Sequence, residues 1–108
     1  MAPPTSPDIT ESPSAPLGFA VVGAGYWGPN LIRNILRCDD ADLRWVCDLD
    51  VARARKAIGR QSAVQVTESL DTVLDDPTVQ AVAIATPAHT HVPVALACLE
   101  AGKHVIVE

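Results

Sequence analysis

Positive charge is scarce in this chain: 8 Lys and Arg stand against 13 Asp and Glu among 108 residues, a formal net charge of −5. Binding nucleic-acid phosphates needs a basic patch or stripe, and the few arginines here are scattered over helices and turns, so nucleic-acid binding is not expected. Long apolar runs are also missing. No stretch reaches the roughly 18 residues that cross a bilayer, and the first residues lack the basic start and apolar centre of a secretory signal. The expectation is a soluble, cytoplasmic protein with no membrane partner. Cysteine is limited to Cys38, Cys47 and Cys98. An odd number without CxxC spacing, set among apolar neighbours, suits reduced interior thiols better than disulfides or zinc, and no chemistry is assigned to them. His89 and His91 have no accompanying Cys or carboxylate cluster, which makes a poor zinc site, so no metal is expected.

What is present is unevenly distributed. Residues 1–16 hold five of the nine prolines, mixed with Ser, Thr, Asp and Glu and free of Lys and Arg. A segment of that composition cannot bury a core, and it reads as a disordered leader. The remaining residues, 17–108, are enough for one compact domain and too few for two of ordinary size.

The apolar run Leu17 to Val22 leads directly into Gly23-Ala24-Gly25-Tyr26-Trp27-Gly28, and a helix-like segment, Pro29 to Cys38, follows. Strand, glycines, helix is the order a dinucleotide pyrophosphate requires, because a helix N-terminus offers unpaired N–H groups and positive dipole to phosphate. Gly23 permits the tight turn, Gly25 lets backbone approach phosphate with no Cβ in the way, and Gly28 lets helix and strand pack closely. The second strand candidate, Leu43 to Cys47, ends at Asp48, twenty residues beyond Gly28. A carboxylate there can accept the hydroxyls of an adenosine ribose and repel a 2′-phosphate. That favours NAD over NADP, moderated by Arg53 and Arg55 nearby. Asp48 also reads as a helix N-cap, a role open equally to Asp50.

Further along, Val51 to Ile58 forms a short helix closed by Gly59, Ala63 to Thr67 a short strand, and Glu68 to Asp75 a helix ended by Asp76-Pro77. Val79 to Ala85 is apolar except for Gln80, the pattern of a parallel strand covered on both faces. His91 to Ala101 repeats apolar residues at helical spacing, Gly102 closes it, and Lys103 to Val107 is a fifth strand. Five strands alternating with helices predict a doubly wound, Rossmann-like α/β sheet of order 3-2-1-4-5. The glycine loop and Ala85-Thr86-Pro87 then meet at the switch point between the first and fourth strands. Thr86 offers a hydroxyl to phosphate or ribose, Pro87 stiffens the turn, and His91 stands at the helix start. Thr86 and Thr90 have an alternative use in satisfying the turn and the cap.

Together, Gly23 to Gly28, Asp48 with Asp50, Ala85-Thr86-Pro87, His91 and the segment Glu100-Ala101-Gly102-Lys103-His104-Val105-Ile106-Val107-Glu108 resemble the Gfo/Idh/MocA oxidoreductase family over residues 17–108. Gly25-Tyr26-Trp27-Gly28-Pro29-Asn30 is similar to members that oxidise nucleotide-linked sugars. The resemblance implies NAD(P)-dependent oxidation or reduction of a sugar, nucleotide-sugar or cyclitol hydroxyl, with a further α+β domain supplying most of the substrate pocket and a homo-oligomeric full-length form. It implies that Gly23, Gly25, Tyr26, Trp27 and Gly28 contact pyrophosphate, that Asp48 holds the adenosine ribose, that Thr86, Pro87 and His91 face the nicotinamide half, and that Glu108 lies beside its ribose.

In the family the fifth strand continues with a Lys-Pro pair whose lysine serves proton transfer, and the sequence stops one residue before it. The expectation is therefore a cofactor-binding part that does not turn over substrate alone and has no catalytic residue of its own, with a fifth strand left as an aggregation-prone edge. Tyr26 and Trp27 have a second use, as packing residues or contacts with a further domain. The alternative function is a non-catalytic, NAD-responsive binding or regulatory module, which the reading frame beyond Glu108 would separate from an enzyme part.

Overall fold

The computed structural model describes residues 15–108; of the expected leader, residues 1–14 lie outside the described residues. The chain alternates strands and helices: β1 (Leu17–Val22), α1 (Gly28–Leu36), β2 (Ala41–Cys47), α2 (Val51–Ile58), β3 (Gln65–Thr67), α3 (Leu70–Asp75), β4 (Ala81–Ile84), a 3₁₀ turn (Ala88–Thr90), α4 (His91–Glu100) and β5 (His104–Val107). The strands form one parallel sheet of order β3-β2-β1-β4-β5, as the sequence predicts.

Boundaries move by a few residues from expectation, for local reasons. α3 starts at Leu70 rather than Glu68 because the Ser69 hydroxyl accepts the Thr72 N–H and caps it. β4 begins at Ala81 although the apolar run begins at Val79. Gln80 exchanges bonds with Gly18, through its own N–H to the Gly18 carbonyl and from the Gly18 N–H to its Oε1.

Alternation along the central strands builds two cores, one on each face of the sheet. Ala20 and Val22 of β1 and Val82 and Ile84 of β4 pack with Val73, Val79 and Cys98 on the face covered by α3 and α4. Val21 and Ala83 point the other way, to Ile32, Val46 and Ala54 beneath α1 and α2. Cys47 and Cys98 are buried, whereas Cys38 is exposed. Burial first, and then the neighbouring Asp48 charge, pushes the Cys47 thiol up to about 11, which makes it a poor nucleophile.

Among the described residues β5 pairs only with β4, and its Ile106 and Val107 are about half exposed, so the sheet presents an apolar edge there. Below the strands a polar knot closes the opposite end. Trp45 Nε1 donates to Asp76 Oδ2 at 2.7 Å, the Thr78 N–H and hydroxyl donate to Oδ1 at 2.8 and 2.6 Å, and Lys103 Nζ donates to the Asp76 carbonyl at 2.9 Å.

The hydrogen bonds of the Thr78 hydroxyl and of Trp45 hold the Asp76 carboxyl at about 2, below its ordinary 3.8. A carboxyl with a depressed value in the fold stabilises it above the ordinary value, and that contribution disappears as pH falls through the depressed one. Urea midpoints of the wild type and Asp76→Asn should therefore differ most above pH 4 and converge toward pH 2. A gap that stays constant over that range would contradict this role.

Candidate functional site at the carboxyl ends of the strands

The glycine loop joins β1 to α1 by close backbone packing. Gly23 has φ +100°, and a Cβ on it would lie 2.8 Å from the Ala85 carbonyl carbon and the Thr86 nitrogen. A Cβ on Gly28 would lie 2.0 Å from the Gly23 carbonyl oxygen. These two positions exclude side chains for reasons internal to the fold. Gly25 differs: only the Arg53 guanidinium lies within 4 Å of its Cβ position, at 3.9 Å, so its bare face opens on a cleft.

Helix termini divide into two kinds. Asp50 caps α2 by accepting the Arg53 N–H at 3.1 Å, and Ser69 caps α3. Among the described residues no side chain caps α1 or α4, which begin at the carboxyl edge of β1 and β4. Among the described residues none accepts a hydrogen bond from the N–H groups of Gly25, Tyr26, Trp27 or Gly28. Uncapped N–H groups at a helix start are the donors that phosphate oxygens use.

Asp48 is the buried anion beside this loop, 6% exposed. Its Oδ2 accepts the Ala24 N–H at 2.7 Å, its Oδ1 accepts the Asp50 N–H at 2.8 Å, and Arg53 Nη2 reaches Oδ1 at 3.0 Å and Oδ2 at 3.1 Å. Burial alone would push this carboxyl up, but the two backbone donors and the guanidinium outweigh it and hold the group below its ordinary range. Capping of α2 thus falls to Asp50, and Asp48 instead clasps the glycine loop.

Across the loop, the Thr90 hydroxyl lies 2.6 Å from both the Thr86 hydroxyl and the Pro87 carbonyl, so these two threonines lock the turn after β4. His91 Nε2 donates to the Thr86 carbonyl at 2.6 Å, which in the neutral ring leaves Nδ1 as an acceptor. Two clefts open between these elements. One, of about 430 Å³, runs from Gly23 and Asp48 to Thr86, Pro87 and Thr90. The other, of about 450 Å³, is walled by Gly25, Tyr26, Trp27, Thr86, Pro87, His91 and Glu108. Of the residues that the resemblance assigns to cofactor contact, all except Gly28 therefore line one of the two clefts. Glu108 reaches its cleft because its N–H extends the β5 pairing to the Ile84 carbonyl at 3.0 Å. Tyr26 and Trp27 meet edge to face at 5.2 Å and stay exposed, 87% and 51%.

The chain belongs to the Gfo/Idh/MocA oxidoreductase family. Residues 17–108 match the family's profile, described as the oxidoreductase family's NAD-binding Rossmann fold. The domain is similar to GenD2 from gentamicin A biosynthesis, solved in complex with NAD: TM-score 0.82 and 36% identity, covering 99% of this chain and 29% of that one. It is also similar to inositol 2-dehydrogenase 1 of Saccharopolyspora erythraea, 37% identical over 91 residues, or 82% of this chain and 27% of the relative. The scyllo-inositol 2-dehydrogenase (NADP(+)) of Bacillus subtilis is 27% identical over 92 residues, covering 85% of this chain and 24% of its own. The chain thus spans about a quarter of the length of the curated relatives it matches. Among the described residues no helix is long and apolar enough to cross a membrane, and no three His, Cys, Asp or Glu side chains gather as a metal site would need.

Two parts of this Gfo/Idh/MocA site lie outside the sequence motifs. Arg53, near Asp48 in sequence, lines both clefts and a third groove between α1 and α2. The signal was available: Asp50 caps α2, so Arg53 is the third helical residue and returns to the end of β2. Ala24 carries the clasp through its backbone, which no side-chain pattern reveals.

The two kinds of glycine should separate experimentally. Gly25→Val is expected to keep the far-ultraviolet spectrum and thermal midpoint of the wild type while losing dinucleotide binding. Gly28→Val should be destabilised by about 1–3 kcal/mol or more through overpacking. Equal stability losses in both would refute this division.

Proposed function

We propose that residues 17–108 bind NAD, and that the protein's activity is the NAD-dependent oxidation or reduction of a hydroxyl on a sugar, nucleotide-linked sugar or cyclitol. The observation that carries this reading is the row of N–H groups from Gly25 to Gly28, without acceptors among the described residues, beside the buried carboxylate of Asp48. One half of that pair suits pyrophosphate and the other a ribose diol. The bare Cβ side of Gly25 leaves room for the phosphate approach.

In this reading Gly23, Gly25, Tyr26, Trp27 and Gly28 form the pyrophosphate cradle, mostly through backbone, and Asp48 accepts the adenosine ribose hydroxyls. Thr86 and Pro87 form the floor of the nicotinamide half. His91, tied to the Thr86 carbonyl, fixes that turn, and Glu108 stands at the rim near the second ribose. When bound, the nicotinamide supplies the hydride acceptor or donor; the chain's own residues bind, orient and shield it. NAD is favoured over NADP because a 2′-phosphate would approach the Asp48 charge.

The substrate class draws on the inositol dehydrogenases among the relatives. Binding of a sugar-type substrate and homo-oligomeric assembly are part of the same reading.

Calorimetry tests the cofactor reading. NAD should bind the wild-type chain more tightly than NADP does. Asp48→Ala should weaken NAD about tenfold or more, since hydrogen bonds to a charged group contribute about 1.5–3 kcal/mol each. Unchanged NAD affinity in the variant would remove Asp48 from the site.

A further inference from the structure

The Asp48 carboxylate faces the cleft with its acceptor positions already taken. Ala24 N–H and one Arg53 contact occupy Oδ2; Asp50 N–H and the other Arg53 contact occupy Oδ1. A carboxylate offers about four lone-pair positions, so a ligand diol can use this group only if a donor leaves.

Two of the donors are backbone groups, one in the glycine loop and one leading into α2, and neither can withdraw without unmaking the loop or the helix start. The third is a side chain on the surface: the Arg53 side chain is 52% exposed against 4% for Asp48. Among the described residues the Arg53 guanidinium has no hydrogen-bond or ion-pair partner except Asp48. The exchange therefore falls on Arg53.

We propose that Arg53 is a displaceable latch: in the free chain its guanidinium occupies the Asp48 acceptor positions that an adenosine ribose diol requires, and ligand entry exchanges the ion pair for hydroxyl hydrogen bonds. This rests on the reading of Asp48 as the ribose acceptor. The released group has a place to go. Its Cζ and Nη1 already lie 3.9 Å from the Cβ position of Gly25, above the loop N–H groups where a pyrophosphate would bring negative charge. Arg53 is thus a positioning residue with two opposed effects, competing with the ribose and attracting the phosphates. A neutral nucleoside meets only the first.

Adenosine, which carries the diol and no phosphate, is the probe. It is titrated into the wild-type 108-residue chain, Arg53→Met and Arg53→Gln, with the backbone amide signals of Ala24 and Asp50 as reporters and the amide spectrum as the check of folding. Breaking the half-exposed ion pair is a small cost that the variants no longer meet, so both should bind adenosine about threefold tighter than wild type. NAD, which also loses the guanidinium's attraction for its phosphates, should gain less. Adenosine binding that is equal, weaker or undetectable in the folded variants overturns the latch. NAD binding to the wild type reports on the underlying reading separately. If it persists while adenosine shows no gain, the latch alone falls; if the folded wild type binds no NAD, both fall.

Discussion

The structure turns on one buried carboxylate. A charged group taken out of water must be satisfied by donors that are themselves held in place, and Asp48 meets that requirement with backbone from two directions. The Ala24 N–H comes from the glycine loop after β1, and the Asp50 N–H from the segment that starts α2. One side chain therefore fixes the loop to the end of the neighbouring strand and sets where the next helix begins. With Arg53 added, the anion is kept charged in a place where burial alone would favour its neutral form.

Close backbone packing supplies the second constraint. Gly28 lets α1 start against the Gly23 carbonyl, and Gly23 in turn passes beside the Ala85–Thr86 peptide. These approaches hold the uncapped start of α1 against the turn after β4, the position at which open α/β sheets bind ligands. The two-faced core makes that arrangement rigid, since β1 and β4 are buried on both sides. The cleft walls are consequently ends of core strands and helices, with the half-exposed Arg53 side chain set among them.

Membership in the Gfo/Idh/MocA family and the site's geometry meet at the same residues. The family profile covers residues 17–108, from the first strand to the last, and the matches to inositol 2-dehydrogenase 1 and GenD2 span 82% and 99% of this chain yet only 27% and 29% of those proteins. What this chain displays is an NAD-binding Rossmann fold with the N–H groups of the glycine loop on one wall of its site and a buried carboxylate on the other. Tyr26, Trp27 and Glu108 line one of its clefts, where apolar and ionisable groups stand together.

Hydrophobic periodicity and glycine spacing determined the fold by themselves. The five strands, their order and the meeting of the glycine loop with Ala85–Pro87 follow from continuous apolar runs separated by helical patterns, because a strand buried on both faces has few other readings. The acidic residue at the end of β2 was legible for the same reason, as a fixed distance along a regular unit. Tertiary structure decided how that residue is used. Whether Asp48 or Asp50 capped α2 depended on which backbone N–H each could reach, and hydrogen-bond reach is set in three dimensions. Likewise, the pairing of Thr86 with Thr90, the tether of His91 to the Thr86 carbonyl and the hold of Arg53 on Asp48 depend on angstrom-scale placement of side chains from different turns. Sequence spacing fixes which elements exist and which ends they share; only packing fixes which polar atoms find each other there.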